Sequence, residues 1–276
     1  MICLVDGQVA NSIDVHDRGL SYGDGLFETI ALRGHRLLAL EAHLARLYRD
    51  SAALGISLPE NSVIVDELAR LTQDTSDAVV KILVTRGSGG RGYKVPPEAS
   101  GRRVLTVQPW PEYLTEMRPS EIHAFVCQHR LGDNPAIAGM KHLNRLDQVL
   151  ASRAWPDSDP FEGLMLDQHG SLIEGTRTNV FARFGDSLVT PELANCGVRG
   201  VIRQAVLDWC RRHAIAVQIR QLMPAELAAA DEIFLTNSII GVRALASVEG
   251  MSRSAALQCD IATVIAAALR ADGVIP

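Results

Sequence analysis

Long apolar runs, a surplus of basic charge and a framework of paired cysteines are all missing from this sequence of 276 residues. Because no stretch of 18 or more apolar residues occurs, we expect no membrane-spanning helix. The first ten residues also lack the basic and apolar regions of a signal peptide. The net charge of −5 argues against a nucleic-acid-binding surface. We therefore predict a cytoplasmic protein that acts on a small molecule.

Spacings typical of metal sites and disulfides are missing as well. The five cysteines are odd in number and scattered, and no C-x-x-C motif occurs. The eight histidines form no H-E-x-x-H motif. We expect reduced thiols and no metal site.

Helical and strand patterns occur in both halves of the chain, which predicts an α/β or α+β fold. The predicted strands are 26–33, 78–86, 103–108, 122–130 and 232–236, and a β-meander of three strands covers 163–190. The predicted helices are 40–54, 60–72, 140–154, 201–213 and 256–271. Three prolines fall in 109–121 and indicate a linker. We expect an N-terminal domain over 1–110, a linker over 111–121 and a C-terminal domain over 122–276.

A glycine-rich loop, Gly87–Gly92, matches the G-x-G-x-x-G spacing of dinucleotide-binding proteins. That fingerprint must open a helix whose N–H groups meet the pyrophosphate. Here the next residues are YKVPPE, and the two prolines cannot continue a helix. We interpret the loop as a connection between two strands.

Several residues could carry chemistry, although each also has an ordinary structural explanation. Lys141 lies after a loop, at the predicted start of a helix, where a partly desolvated amine could act as a nucleophile. The turn at 197–200 leads into a helix at Val201, and free N–H groups at a helix start attract anions. Arg46, one turn from His43, could hold a phosphate. Taken singly, these residues are more often a solvated lysine, a plain turn and a surface arginine.

Six segments, in order along nearly the whole chain, resemble the fold-type IV pyridoxal-phosphate enzymes. This family contains branched-chain aminotransferases, D-amino-acid aminotransferases and aminodeoxychorismate lyases. The segments are DRGLSYGDGLFET (17–29), HLARL (43–47), the lysine segment GMKHLNRLDQVL (139–150), EGTRTNVF (174–181), GVRGVIR (197–203) and EIFLTNSI (232–239). The resemblance implies two domains, a smaller N-terminal α/β domain and a larger C-terminal pseudo-barrel that binds pyridoxal 5′-phosphate (PLP).

The resemblance also implies a role for each matching residue. Lys141 would form the aldimine with PLP and act as the catalytic base, and Glu174 would keep the pyridine nitrogen protonated. The phosphate would be bound by Arg46, by the N–H groups of Val201 and Ile202, and by Ser238, with Asn237 as a weaker candidate. The expected substrate-side residues are Arg91, Tyr93, Phe27 and Thr29.

Two segments are most like the lyases of this family, namely RGSGGRGY (86–93) and LGDNPAIAGMKHLNRLDQVLA (131–151). They imply conversion of 4-amino-4-deoxychorismate to 4-aminobenzoate and pyruvate, for folate biosynthesis, by a homodimer. The segment 174–181 is closer to the aminotransferase form of its motif. A D-amino-acid or branched-chain aminotransferase therefore stays open as the alternative.

Overall fold

The structure, a computed structural model, describes residues 3–97, 99–112, 114, 122–153, 155, 161–251 and 260–276. The chain forms two compact units. The first consists of Met1–Trp110 together with Lys141–Asn144, and the second of Pro111–Met140 together with Arg145–Pro276. The predicted linker, 111–121, lies outside the described residues except for three positions.

The first unit is built on a six-stranded antiparallel sheet with the strand order β2-β1-β6-β5-β3-β4. Its strands are β1 (Cys3–Val5), β2 (Gln8–Val9), β3 (Gly25–Arg33), β4 (Arg36–Leu37), β5 (Ala78–Thr85) and β6 (Arg102–Pro109). Its helices are α1 (Arg18–Tyr22), α2 (Leu40–Leu54) and α3 (Asn61–Thr72). The predictions for β3, β5 and β6 and for the two longer helices are confirmed within one or two residues.

Local sequence explains the main turns of this unit. Asp6 and Gly7 both have positive φ, 49° and 81°, as a two-residue hairpin between twisted strands requires. Helix α2 buries Leu44 and Leu47 on one face and contacts β3. It ends at Gly55, whose φ of 66° is the left-handed conformation that glycine adopts without a steric penalty.

The second unit contains two sheets, with the strand orders β12-β11-β10-β13-β14 and β15-β7-β8-β9. The strands are β7 (His123–Leu131), β8 (Glu162–Asp167), β9 (Leu172–Gly175), β10 (Asn179–Phe184), β11 (Ser187–Pro191), β12 (Ala216–Arg220), β13 (Glu232–Asn237), β14 (Gly241–Ala244) and β15 (Ser247–Val248). The helices are α4 (Leu146–Arg153), α5 (Val201–Arg212), α6 (Asp260–Ala271) and a 3₁₀ helix (Pro224–Ala229). Of the predicted closing helix, residues 256–259 lie outside the described residues.

The predicted three-stranded meander over 163–190 is wrong. The segment forms four strands, β8 to β11, and the chain changes sheets between β9 and β10. The buried carboxylate of Glu162 holds this crossing, because it accepts hydrogen bonds from the N–H and the hydroxyl of Thr176 and from the hydroxyl of Thr178. The residues at the crossing, 175–179, are glycine and polar residues of the kind that also form an ordinary turn between two strands of one sheet, so the sequence pattern does not mark the change of sheet.

Buried apolar residues fill each unit separately. In the first unit, Ile30, Val80 and Ile82 of the sheet are fully buried. In the second, Phe181 and Phe234 are paired residues of neighbouring strands, and their rings stack with centroids 5.0 Å apart. No helix in the described part of the chain is long and apolar enough to span a bilayer.

Candidate active site

The segment that carries Lys141 is extended and hydrogen-bonded to the start of β3. The carbonyl of Lys141 accepts a hydrogen bond from the N–H of Phe27, and the N–H of Leu143 donates to the carbonyl of Gly25, both at 2.9 Å. The prediction that Lys141 begins a helix is therefore wrong, and α4 starts only at Leu146. Strand-like pairing occupies the backbone groups that a helix would need.

Aromatic surface lies beside the Lys141 amine. Its Nζ is 4.3 Å from the centroid of the Phe27 ring, and the Nζ of Lys81 is 5.0 Å from the same ring. Thr29, on the same face of β3 as Phe27, is the register partner of Lys81. Lys141, Phe27 and Thr29 are all half-buried. The structure thus brings together the predicted lysine and one predicted substrate-side residue, Phe27.

A buried charge cluster surrounds the side chain of Arg46. The Nε and Nη2 atoms of Arg46 donate to the two carboxylate oxygens of Glu28 at 2.7 and 2.5 Å, and the Nδ1 atom of His43 lies 2.6 Å from Oε2 of Glu28. All three residues are at least nine-tenths buried. Burial alone would raise the pKa of Glu28, but the charge of Arg46 and the hydrogen bond from His43 lower it to about 2. Glu28 is therefore ionised at neutral pH.

Sequence reasoning missed Glu28 as a functional candidate. One signal was available, because Glu28 is the only acidic residue in the largely apolar strand LFETIALR. A carboxylate on a buried strand requires a cationic partner. The geometry shows that Arg46 supplies it, and that His43 lies within hydrogen-bond distance of Glu28 on the same face of α2.

The glycine-rich loop connects β5 and β6, which pair antiparallel, so the interpretation as a connection between strands is confirmed. Arg91 and Tyr93 are both exposed on this loop, and Tyr93 has 86% of its surface accessible.

In the second unit, Glu174 lies on β9 with only 4% of its surface exposed. Its Oε2 atom accepts a hydrogen bond of 2.8 Å from the N–H of Val198. Val198 belongs to the turn at 197–200, and this turn requires glycine at 197. There φ is 83°, and an added Cβ would lie 2.7 Å from the side chain of Ile173. The turn at 197–200 is therefore hydrogen-bonded to the Glu174 carboxylate and packed against β9.

Asn179 fixes the end of the same turn, where α5 begins. Its Oδ1 atom accepts from the N–H of Gly200 at 3.1 Å, and its Nδ2 atom donates to the carbonyl of Val198 at 2.8 Å. The predicted helix start at Val201 is confirmed. The first N–H groups of a helix have no partner within it, so those of Val201 and Ile202 suit an anion. Sequence reasoning missed Asn179, because its role depends on a turn about 20 residues away.

Arg145 adds a positive charge to the surroundings of Glu174. Burial lowers the pKa of the Arg145 guanidinium, while the charge of Glu174 opposes that change. From the sequence, Arg145 could equally be a solvated residue. The structure instead places it half-buried and within electrostatic range of the Glu174 carboxylate.

Asn237 and Ser238 follow directly at the end of β13. The Oδ1 atom of Asn237 accepts from the N–H groups of Ile239 and Ile240, both at 2.8 Å, and its Nδ2 atom donates to the carbonyl of Arg177. The amide of Asn237 thus shapes the turn after β13. Ser238 is half-buried at that turn. Among the described residues, no cluster of three histidine, cysteine, aspartate or glutamate side chains could hold a metal ion.

Comparison with known proteins agrees with this architecture. The sequence profile of the family "Amino-transferase class IV" matches residues 25–248. The chain is 32% identical over 250 residues to the aminodeoxychorismate lyase of Vibrio harveyi, covering 90% of both chains. It is 30% identical over 244 residues to a putative branched-chain-amino-acid aminotransferase of Methanocaldococcus jannaschii, covering 86% of this chain and 83% of the relative.

The solved 4-amino-4-deoxychorismate lyase of Pseudomonas aeruginosa superimposes on this structure with a TM-score of 0.92 and 40% sequence identity. The match covers 99% of this chain and 100% of that one. The chain belongs to the class IV aminotransferase family, which is a family of enzymes, and the predicted fold-type IV architecture is confirmed. Within it, homologues named aminodeoxychorismate lyase match over the full length of the chain.

Proposed function

We propose that this protein is a PLP-dependent lyase that converts 4-amino-4-deoxychorismate into 4-aminobenzoate and pyruvate. The observation that carries the proposal is the full-length similarity, at 40% identity, to the solved Pseudomonas aeruginosa lyase. The family resemblance implies that Lys141, Glu174 and 197–202 supply the lysine, the carboxylate and the anion-binding turn.

The donor set fits PLP. The half-buried amine beside an aromatic ring suits the aldehyde of PLP, and the buried carboxylate suits its basic ring nitrogen. The helix start, with its open N–H groups, suits the phosphate dianion. We propose that Lys141 binds the aldehyde and that Glu174 holds the ring nitrogen protonated. Arg46, Ser238 and the N–H groups of Val201 and Ile202 would hold the phosphate. When bound, PLP supplies an electron sink for a carbanion next to the substrate nitrogen.

The proposed chemistry assigns one proton to Lys141. Its amine would take the proton from C4 of the substrate as general base. The C3–O bond then breaks, the released enolpyruvate takes up a proton and becomes pyruvate, and the remaining ring becomes aromatic. Arg91 and Tyr93 are proposed to contact the substrate, whose two carboxylates suit a guanidinium. Phe27 and Thr29 would contribute to the wall of the pocket.

A product assay tests this proposal. Purified protein loaded with PLP is supplied with freshly made 4-amino-4-deoxychorismate, and 4-aminobenzoate and pyruvate are followed together, with a protein-free reaction as the control. Equal amounts of both products, formed only with the protein, are expected. Exchange of an amino group between an amino acid and a 2-oxo acid, without 4-aminobenzoate, would contradict the lyase proposal.

That second outcome corresponds to the alternative, an aminotransferase of the same fold. Two observations favour it: the form of the segment 174–181, and the 30% identity to the putative aminotransferase of Methanocaldococcus jannaschii. The lyase proposal is preferred because identity to the solved lyase is higher, at 40%. The proposal also includes a homodimer in the cytoplasm that serves folate synthesis, as the family resemblance implies.

Asn179 offers a test of the phosphate site. Asn179→Ala removes both hydrogen bonds that the Asn179 side chain makes to the turn before α5. Because the turn aims the N–H groups of Val201 and Ile202, we expect PLP to bind about tenfold more weakly, which corresponds to about 1.4 kcal/mol. Titration of the apoprotein with PLP, followed by absorbance, measures this change. Ser187→Ala, which removes a hydroxyl at the far end of the neighbouring strand, is the control, and an equal loss in both variants would contradict the assignment.

A further inference from the structure

The loop between β5 and β6 has little conformational constraint of its own. Glycines make up four of the seven residues in Gly87–Tyr93, and all four have positive φ, between 74° and 124°. Glycine loses more conformational freedom on ordering than any other residue. A single conformation of this loop must therefore be imposed by contacts from outside it.

Arg18 supplies three of those contacts from a buried position in α1, and the carbonyl of His16 accepts a further hydrogen bond from the N–H of Gly89. The Nη1 and Nη2 atoms of Arg18 donate to the carbonyls of Gly92 and Tyr93 at 3.0 and 3.2 Å, and its own N–H donates to the carbonyl of Gly87 at 2.9 Å. Arg18 therefore binds both ends of the loop. Its exposed fraction is only 3%, so its guanidinium needs an anionic partner.

Asp24 is that partner, and it joins Arg18 to a second buried arginine. The Oδ2 atom of Asp24 accepts from Nε of Arg18 at 3.0 Å and from Nε of Arg86 at 2.8 Å. Arg86, the residue before the loop, also donates to the carbonyls of Leu54 and Gly55 at the end of α2. Burial opposes ionisation of Asp24, but hydrogen bonds from both arginines lower its pKa.

Aromatic rings complete the contact. The guanidinium of Arg18 lies 4.8 Å from the centroid of the Tyr22 ring, and that ring meets Tyr93 edge-on at 5.5 Å. Tyr93 is otherwise largely exposed. The loop is thus attached through its first residue, through two carbonyls near its end and through the ring of Tyr93.

We propose that Arg18 and Asp24 are positioning residues that hold the loop Gly87–Tyr93 in one conformation and so present Arg91 to the substrate. This inference rests on the proposed function insofar as Arg91 is taken to bind a substrate carboxylate. Arg18 acts through the loop and does not itself contact the substrate. A preformed loop avoids the entropy of ordering four glycines when substrate binds.

Limited proteolysis tests the positioning without any substrate. Trypsin can cleave after Arg91 only when the loop opens. In PLP-loaded Arg18→Gln, which leaves Asp24 paired with Arg86, we expect cleavage at Arg91 to be at least about tenfold faster than in the wild type. Arg33→Gln is the matched control, because Arg33 also pairs with an aspartate, Asp77, and stacks on a ring, Trp110, away from the loop.

Steady-state kinetics then test the consequence for the substrate. We expect Arg18→Gln to raise KM about tenfold while kcat stays within about twofold. The reason is that the contact between Arg91 and the substrate is weakened equally in the ground state and in the transition state. Arg18→Lys keeps the charge but cannot reach a carboxylate and two carbonyls in a fixed plane, so it should restore KM only in part. If Arg18→Gln does not fold, the cleavage rate at Arg91 and KM are measured in Arg18→Lys and Asp24→Asn instead.

Each outcome separates this inference from the proposed function. Unchanged cleavage at Arg91 would overturn the positioning role, whatever the enzyme's reaction. Faster cleavage with an unchanged KM would overturn the link between loop and substrate. If the wild type forms no 4-aminobenzoate but the variant is cleaved faster, the proposed function fails and the positioning of the loop stands.

Discussion

Lys141→Ala is expected to abolish turnover, with kcat lowered by at least about 10³-fold, because one side chain is assigned both the covalent bond to the cofactor and the proton transfer. The variant should also lose the absorbance band of lysine-bound PLP. Stopped assays of product and absorbance spectra of the loaded protein measure the two effects.

Lys81→Ala is the matched control for this experiment. Both lysine amines lie beside the Phe27 ring, at 4.3 Å for Lys141 and 5.0 Å for Lys81. Loss of positive charge beside that ring is therefore common to both variants. We expect Lys81→Ala to keep the absorbance band and to lower kcat by less than about tenfold. A Lys141→Ala protein that retained the band would refute the assignment of the reactive lysine.

Glu28→Gln is expected to lower the free energy of unfolding by about 3 to 5 kcal/mol, because it removes the buried negative charge that pairs with the Arg46 guanidinium. Glu28 and Arg46 are 1% and 6% exposed, so water cannot compensate. Urea unfolding at pH 7 measures the change. The control is Asp208→Asn, which breaks an exposed pair with Arg211 and should cost less than about 1 kcal/mol. Equal costs for the two variants would contradict the importance of the buried cluster.

The same carboxylate predicts a pH dependence. Because the pKa of Glu28 is lowered from 4.5 to about 2 on folding, the unfolded chain takes up a proton at higher pH than the native protein does. The stabilisation is complete above pH 4.5 and is lost as the pH falls towards 2. At most it amounts to about 3 kcal/mol, from the two pKa values. The difference in unfolding free energy between wild type and Glu28→Gln should therefore shrink below pH 4.5, and a constant difference would contradict this assignment.

Much of the fold could be predicted from local patterns, and the failures have definite physical causes. Helix α2 follows from leucines at helical spacing and a glycine that ends it, and β5 follows from its β-branched residues. The helix predicted at 140–154 is wrong at its start, because Lys141 pairs with a strand more than 100 residues earlier. Hydrophobic periodicity within a short stretch of sequence does not indicate pairing with a distant strand.

The candidate site, too, could be predicted only in part from the sequence. The predicted roles of Lys141 and Glu174 come from motifs that are continuous in sequence, and they stay predictions until the variants are measured. Glu28, Asn179 and Arg18 were not identified, because each acts on a partner that only the folded chain brings near it. Arg18 lies 74 residues from Gly92, whose carbonyl it binds. Their polar character was visible, but their partners were not.

The membership of Lys141–Asn144 in the first unit has a consequence for synthesis. The ribosome completes residues 1–110 well before it reaches this segment, so the nascent first unit lacks the chain that pairs with the start of β3. Its proposed catalytic group is added about 30 residues later. A gene fragment that ends at Trp110 would therefore encode a unit without its reactive amine, and one that ends after Asn144 would include it.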